Sequence, residues 1–499
     1  MPTTFVTAFL DLREDRTKDK SFDTCFNLAN KLFLTGNLFY VFLSRSFEAQ
    51  GTKLSEEYKN IKVHYIELED LETYKEAEST TQLPSIRTNH HDTKAFMILM
   101  NSKIEFVQKA IQEDPFQTSH FAWIDFSIFH VFRNPEKSSK YLQMLGNARL
   151  KDSVLAFPGC WNKGQDISTI FDKVSWRFCG GFFIGDKQSL LNFYSLYRRE
   201  FPLILEIYGV LPWEVNMWHF MELNYGFSPT WFLANHDDSI VRIPGSCLYI
   251  AASLTTIPPR IETDCRKSIE SLVHQVDHIY VSISKEYKRF GTYDSLPSYM
   301  FEEPFQSKVT FVFGSDYGPA GKYIGCLEQI PENAFIFICD DDQEYHPTLI
   351  QRMTHKIQEY AVYQNHYSSI CGKTSGGLIH GYVGLLIPKA FLSDAPLFPL
   401  PEASRFVDDQ WMSFYCFTKN IPINSTDIEQ YSDIFSVLDN FHEKWGTQSL
   451  SGLQNREDKI KELSSALNLT FDQEHKYIVK RLEQEPIQEQ LQDQICPDS

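Results

Sequence analysis

The chain has 499 residues, 42% of them hydrophobic and 14% aromatic, and a formal net charge of −18. That much apolar material builds large cores, so disorder is not the expected state, and the length favours more than one domain. The acidic balance argues against nucleic acid or an anionic membrane surface as the main partner.

The ten cysteines are scattered, with no Cys-x-x-Cys pair. This suggests neither a structural zinc site nor a disulfide scaffold and fits a reducing compartment. No run of about 18 uninterrupted apolar residues occurs, so no transmembrane helix is expected. Met1 to Thr7 carries no basic leader. A cytoplasmic protein is the expectation, and the sequence leaves homo-oligomerisation open.

Taken in chain order, Phe5 to Leu10 reads as a strand, Phe22 to Leu34 as a helix, and Leu38 to Leu43 and Val63 to Leu68 as strands. Ala95 to Glu113 has helical spacing and stops near Asp114-Pro115. The apolar run Phe121-Ala122-Trp123-Ile124 is a strand ending on Asp125. Trp176 to Gly185 is strand-like and broken by a glycine pair, while Ser189 to Glu200 and Glu214 to Leu223 are helical. Near Ile243-Pro244-Gly245 the pattern restarts. Cys247 to Leu254 is a strand, Ile261 to Gln275 a helix, Ile279 to Ile283 and Val309 to Phe313 strands, and Lys322 to Leu327 opens a helix. Phe335 to Cys339 is a strand ending on Asp340-Asp341-Asp342. A helix over Leu349 to Tyr363 and another from Asp408 through Cys416 follow.

This alternation predicts an α/β protein of two tandem domains, 1–245 and 246–440. The halves share a layout, and no residue-level repeat is apparent. Beyond 440, the charged segments Arg456 to Leu467 and Glu474 to Gln492 predict a helical tail over 441–499.

The greasy run before Asp340 reads as a strand buried on both faces, and ligands of parallel sheets bind at strand carboxyl ends. Adjacent carboxylates are costly unless a cation sits among them. Oxygen ligands of this kind suit Mg²⁺ or Mn²⁺ beside a diphosphate ester. Asp340 and Asp342 are therefore candidate metal ligands, with an Asp-rich helix cap as the alternative. Asp408-Asp409-Gln410-Trp411 opens a helix whose dipole favours acids. Asp408 or Asp409 is a candidate base for an acceptor hydroxyl, or a cap, and Trp411 is placed with the acceptor. Thr255, Thr256, Arg260, Lys322 and Asp341 are candidate donor-binding residues, together with the stretch Gly372 to Gly377.

These residues, over about 247–425, resemble GT-A glycosyltransferases, a fold of Rossmann-like nucleotide-sugar-binding type. The resemblance implies an Asp-x-Asp metal site, a nucleotide-sugar donor, a glycan or glycolipid acceptor, and inversion if Asp408 or Asp409 is the base.

In the first half, Asp125 offers one carboxylate, to which His236 or Asp238 would add a metal shell. Glu214 stands as Asp408 does and is a candidate base, with Trp218 as a sugar-stacking platform. Gly180 and Gly181 would lay backbone against an acceptor. Capping, core or bulge roles are the alternatives for each. Thr7-Ala8-Phe9 with Arg13-Glu14, Met100 to Lys103, Phe121 to Asp125, Cys179 to Phe182, Trp213 to Asn216 and His236-Asp237-Asp238 resemble the HtrL/YibB family. That resemblance implies a glycosyltransferase-like fold over Phe5–Ile243, a sugar transferase of surface-polysaccharide type, and donor contacts at Thr7, Phe9 and Arg13. The leading expectation is a bifunctional, metal-dependent glycosyltransferase. The alternatives are one working domain with a non-catalytic partner, a nucleotidyltransferase, and a carbohydrate-binding protein.

Overall fold

The computed structural model describes residues 2–12, 21–80, 82–87, 92–164, 168–365, 379–393 and 407–438, and near the end 458, 461–463, 465, 469–472 and 477–480. Arg13 and the stretch Gly372 to Gly377 lie outside these.

The most apolar runs form the central strands, which are covered on both faces. The first half supplies β1 (Thr3–Phe9), β2 (Leu38–Leu43), β3 (Ile61–Tyr65), β4 (His120–Ile124), β5 (Leu155–Gly159), β6 (Phe182–Asp186) and β7 (Thr230–Leu233). The second half supplies β8 (Ile250–Thr255), β9 (His278–Ser284), a short ribbon of β10 (Glu286–Tyr287) and β11 (Gly291–Thr292), β12 (Val309–Gly314) and β13 (Phe335–Ile338). There follow β14 (Gln343–Tyr345), β15 (Val362–Gln364), β16 (Leu385–Pro388), β17 (Ile423–Ser425) and β18 (Phe435–Val437), then β19 (Leu469–Asp472) and β20 (Tyr477–Lys480).

Two seven-stranded sheets result, in the orders β3-β2-β1-β4-β6-β5-β7 and β12-β9-β8-β13-β16-β15-β17. The fold is mixed α/β, and the two sheets are built to one plan. In each, the first four strands in chain order run parallel, the next spatial neighbour is antiparallel, and the last pair is parallel. The registers superpose as well. Val6 faces Tyr40 and Trp123, while Ser253 faces Tyr280 and Ile338. Counted from those pairs, Tyr40-Val41 matches Tyr280-Val281 and Ser44 matches Ser284. Asp125 and Asp340 each stand two residues past their paired strand position. Arg13 follows Val6 in the sequence at the same interval as Arg260 follows Ser253. At these few positions, which only strand register reveals, the two halves carry the same residue.

Buried apolar contact continues from one sheet to the other through Ala148, Leu150, Leu248 and Ile250. Leu150 and Leu248 also form a backbone bridge, and the Arg149 amide donates to the Asn333 carbonyl.

Four expectations change. The helix expected over Ala95 to Glu113 is two, Lys94–Asn101 and Lys103–Glu113. Ser102 breaks it, its hydroxyl turned back to the Ile98 carbonyl, which is how serine competes with helical bonding. The helix from Leu349 ends at Thr354, and Tyr363 belongs to β15 between β16 and β17; tertiary pairing overrides local propensity there. In Trp176 to Gly185 only the part from Phe182 is strand. The tail is not wholly helical, because β19 and β20 pair antiparallel. The β-branched and aromatic run Tyr477-Ile478-Val479 suits a strand, within the segment expected to be helical.

Candidate active site

In the second half, the strand end at Asp340, the loop after β8 and the helix Asp408–Thr418 converge on one cavity of about 600 Å³. Its wall includes Thr255, Thr256, Arg260, Lys322, all three strand-end aspartates, Asp408 and Asp409. Nearly every second-half candidate is thus brought together. Asp341 is spent inside the protein, accepting from Thr256 Oγ1 at 2.6 Å and Arg260 Nη1 at 2.8 Å. Arg260 Nη2 reaches Asp342 Oδ2 at 3.0 Å. These bonds tie the strand end to the loop after β8. The Asp340 amide donates to Tyr345 Oη on β14 at 2.9 Å, which fixes the turn of the acidic triplet.

Lys322 was expected among the donor-binding residues. Instead it is 3% exposed and turned to acids, with Nζ 2.8 Å from Asp340, 3.0 Å from Asp408 and 3.8 Å from Asp409. Burial alone would push this ammonium down, but the carboxylates of Asp340, Asp408 and Asp409 hold it well above the usual lysine range. Asp409 is pushed up to about 7 by burial and then by the Asp408 charge, with Lys322 and the Gly381 amide pulling the other way. Asp342 is likewise pushed up to about 7 by burial and by Asp341 and Asp340. A methyl group at Gly381 would lie 2.7 Å from Asp409 Oδ1 and 2.8 Å from Lys322 Nζ, so glycine lets these groups close together.

Five carboxylates here face two cations, the buried Lys322 and the partly buried Arg260. Among the described residues, no cluster of three or more His, Cys, Asp or Glu side chains is arranged to ligate a metal unaided. Divalent ions at phosphate sites take one or two carboxylates and draw further ligands from the substrate. The acid excess around Asp340 and Asp342 fits such an ion.

The first half repeats the core of this arrangement. Lys103, 2% exposed, has Nζ 3.2 Å from Asp125 Oδ1, 2.9 Å from Glu214 Oε1 and 2.8 Å from the Gly180 carbonyl. Burial would push its ammonium down, and Asp125 and Glu214 hold it up. Trp123 Nε1 donates to Asp125 at 2.8 Å, and the Asp125 amide donates to the Gly181 carbonyl at 3.0 Å. Gly180 is as constrained as Gly381, since a Cβ there would sit 2.0 Å from Glu214 Oε1. Asp125, Glu214, Gly180 and Gly181 are therefore gathered as expected.

Other first-half candidates are not. Trp218, expected as a sugar platform, is 1% exposed and packed edge-on against Phe157, Phe178 and Phe183. Asp238, expected on a metal, accepts from the Arg133 and Asn134 amides and Ser138 Oγ, so it anchors the start of the helix Pro135–Asn147. Burial would raise it, but these bonds keep it below the usual range. His236 is exposed and lies edge-on to His130. Thr7 is fully buried and closed to a donor, and the half-buried Phe9 stacks on Phe126 at 4.8 Å. In the second half, Trp411 is also buried, edge-on to Tyr323, and is not an acceptor platform.

Sequence reasoning missed the role of Lys103 and the pocket wall from Lys288, Arg289 and Phe290. A single lysine carries no signal. The pair does, because each lysine lies in the helix just before an acid-tipped strand.

Residues 1–210 match the family model HtrL_YibB, described as a bacterial protein of unknown function. No curated protein matches the chain. Among solved structures, a glycosyltransferase involved in glycosylation of the major capsid of PBCV-1 is similar at 12% identity and TM-score 0.24, over 47% of this chain and 82% of that one. Mouse xyloside xylosyltransferase 1 is similar at 8% identity and TM-score 0.26, over 55% and 92%. The 4-diphosphocytidyl-2C-methyl-D-erythritol synthase of Anaerococcus prevotii is similar at 10% identity and TM-score 0.25, over 48% and 90%. Scores this low carry no argument about activity.

Proposed function

We propose that the protein is a glycosyltransferase whose second half moves a sugar from a nucleotide-sugar donor to a glycan or glycolipid acceptor in the cytoplasm. The observation that carries this reading is the cavity where Asp340, Asp342, Asp408 and Asp409 meet at the carboxyl end of a buried strand. Its volume suits a ligand of nucleotide-sugar size. Mn²⁺ or Mg²⁺ held by Asp342, with Asp340 helping, would neutralise the diphosphate. Lys288 and Arg289 bring positive charge to the wall for the same diphosphate. Arg260 and Thr256 act by fixing Asp341 and Asp342. A carboxylate at the start of the helix Asp408–Thr418 takes the acceptor proton, which gives inversion.

A second reading makes the protein bifunctional, with a further site in the first half at Asp125 and Glu214. The repeated sheet plan and the Lys103 cluster favour it. Two sites on one chain would raise the effective concentration of a shared glycan.

The test is release of nucleoside diphosphate from a panel of UDP- and GDP-linked sugars, and of CMP from CMP-linked sugars, with Mn²⁺, using the full chain, Asp342→Ala and Asp125→Ala. Release from the wild type that Asp342→Ala abolishes supports the second-half site. A distinct donor lost only in Asp125→Ala supports the bifunctional reading. A wild type inert toward every donor removes the proposal.

A further inference from the structure

Trp218 and Trp411, the two rings expected to carry an acceptor sugar, are buried, which leaves the acceptor without a seat. A different pair of rings stands beside the second-half cavity. Tyr382 lines its wall and lies near-parallel to Tyr431, with 28° between the planes and 6.4 Å between ring centres. Their hydroxyls share a hydrogen bond at 3.1 Å. Tyr382 is half-buried and Tyr431 is 43% exposed. His380, also on the wall, meets Tyr382 edge-on. An aromatic surface thus runs from the wall of the cavity out to solvent.

This surface is fastened to the acidic turn. Tyr431 lies in the single helical turn Tyr431–Asp433 just before β18, and β18 pairs with β14, which follows Asp342 directly. The Leu438 amide donates to the Asp342 carbonyl at 2.9 Å, and the His346 amide to the Ile434 carbonyl at 2.8 Å. Phe435 of β18 packs against Tyr431, Tyr382 and Tyr345, and Tyr345 is the residue that takes the Asp340 amide. The Tyr382 turn is held from the other side. There the His380 amide donates to Gln364 Oε1 at 3.0 Å and Asn365 Nδ2 to the Val383 carbonyl at 2.9 Å. Rings fixed in advance bind without a further ordering cost. The described strands of the first half form one seven-stranded sheet and no such ribbon, so the ribbon is an addition to the shared plan.

The chemistry of the surface selects its ligand. A tyrosine offers an apolar ring face and a polar tip, and a pyranose offers the complement, a face of C–H bonds with a rim of hydroxyls. Burial, then the Tyr431 hydroxyl and the Asp409 charge, push the Tyr382 phenol up, so it keeps its proton and donates to a sugar hydroxyl. Charge then chooses among sugars. Asp409 is the ionisable group of the wall that Tyr382 feels. The cations Lys288 and Arg289 come from the β10–β11 turn, which is tied through Tyr287 to the Thr256 carbonyl and through the Lys288 amide to Asp316. An anionic sugar on the tyrosine pair would therefore meet an acid.

We propose that Tyr382 and Tyr431 form a seat for an uncharged saccharide, stacked on the exposed tyrosine face beside Asp409. Taking that saccharide as the acceptor rests on the glycosyltransferase reading, while the seat itself does not.

The experiment measures saccharide binding to the full chain by saturation-transfer NMR and titration. The probes are neutral trisaccharides of the gluco, galacto, manno and N-acetylglucosamine series, with trigalacturonate and farnesyl phosphate as charged comparators. A neutral probe should bind, and Tyr431→Ala should weaken it about tenfold while Tyr431→Phe and Tyr431→Trp, which keep a ring, stay within about twofold. Tyr382→Phe, which removes the donor and keeps the ring, should weaken it about fivefold. Phe301→Ala, which removes an exposed ring that does not line the cavity, is the control. In the wild type, the bound probe should also shield Tyr431 from nitration by tetranitromethane, read by mass spectrometry, which needs no variant to fold.

Binding that Tyr431→Ala leaves unchanged, nitration that the probe leaves unchanged, or a neutral panel that never binds overturns the seat. Tighter binding of trigalacturonate overturns its preference for an uncharged ligand. Nucleoside diphosphate release by the wild type is measured separately. A wild type inert toward every donor that still holds a saccharide through Tyr431 keeps the seat and removes the transferase reading. A wild type that releases nucleoside diphosphate and binds no neutral saccharide removes the seat alone.

Discussion

Replacing Gly381 with alanine probes the centre of the second-half cluster with one methyl group. Gly381 is not among the residues of positive φ, so its backbone accepts alanine without strain. The cost is steric. The new carbon would lie 2.7 Å from Asp409 Oδ1, 2.7 Å from Tyr323 Oη and 2.8 Å from Lys322 Nζ, where ordinary contact begins at 3.4 Å. Relief requires the buried acid, phenol and ammonium to retreat by more than half an ångström, in a region already close-packed. Overpacking of this kind costs about 1–3 kcal/mol. For a domain of about 250 residues that is a drop in melting temperature of about 2–12 °C. If Asp409 must reach an acceptor proton, a displacement approaching 1 Å should cost turnover on the order of 100-fold. Gly314, which has nothing within 4 Å of its would-be Cβ, supplies the control alanine. Differential scanning fluorimetry and nucleoside diphosphate release measure the two effects. A Gly381→Ala protein that melts and turns over like Gly314→Ala would refute the packing argument.

Asp342→Ala should abolish the dependence of nucleoside diphosphate binding on Mn²⁺, read by calorimetry with and without the ion; unchanged dependence would move the ion elsewhere. Asp409 is held near 7 by burial and the Asp408 charge, so turnover should climb as pH rises through about 7, and Asp409→Asn should flatten that rise. The same raised carboxyl has a stability consequence. The folded state holds the proton to about 7 and the unfolded state releases it near 4, so stability falls as pH rises between those values and levels off above. Melting should therefore be lower at pH 8 than at pH 5, and Asp409→Asn should reduce the difference. Cys160 and Cys179 have Sγ atoms 3.5 Å apart, and burial and the neighbouring Cys160 push the Cys179 thiol up. Diamide should join them, giving a crosslinked peptide in non-reducing mass spectrometry, and two alkylatable thiols after diamide and denaturation would argue against that.

What the sequence made legible was whatever one contiguous stretch encodes. Phe335 to Cys339 announced a buried strand because all of its residues are apolar, and the acids after it announced a site. The helix at Asp408 was legible from its acidic first turn. Features that depend on partners were not. Nothing in Tyr363 says that it will pair with β16 and β17, so the helical spacing before it ran on too far. Trp218 looks the same on paper whether its ring meets a sugar or, as here, Phe157 and Phe183. Lys103 carries no local mark, because its significance comes from Glu214, which is 111 residues away. The internal repeat stayed hidden for a related reason. It is confined to matching register positions in the strands and to the two charge clusters, far apart in the chain.

The seam between the halves lies at the back of both sheets. Arg149 reaches Asn333, just before β13, and Lys151 reaches Asp277, just before β9, while its carbonyl accepts from His120 at the start of β4. The acid clusters stand at the opposite, carboxyl ends of the same strands. At roughly 3.3 Å per residue, the path along β13 from Asn333 to Asp340 is on the order of 20 Å. Both acid clusters therefore stand away from the join, with packed sheet between them and the shared core. On the bifunctional reading, a glycan handed from one cluster to the other would travel around the outside of the molecule on its own flexible length, so short saccharides would be lost to solvent more readily than long ones.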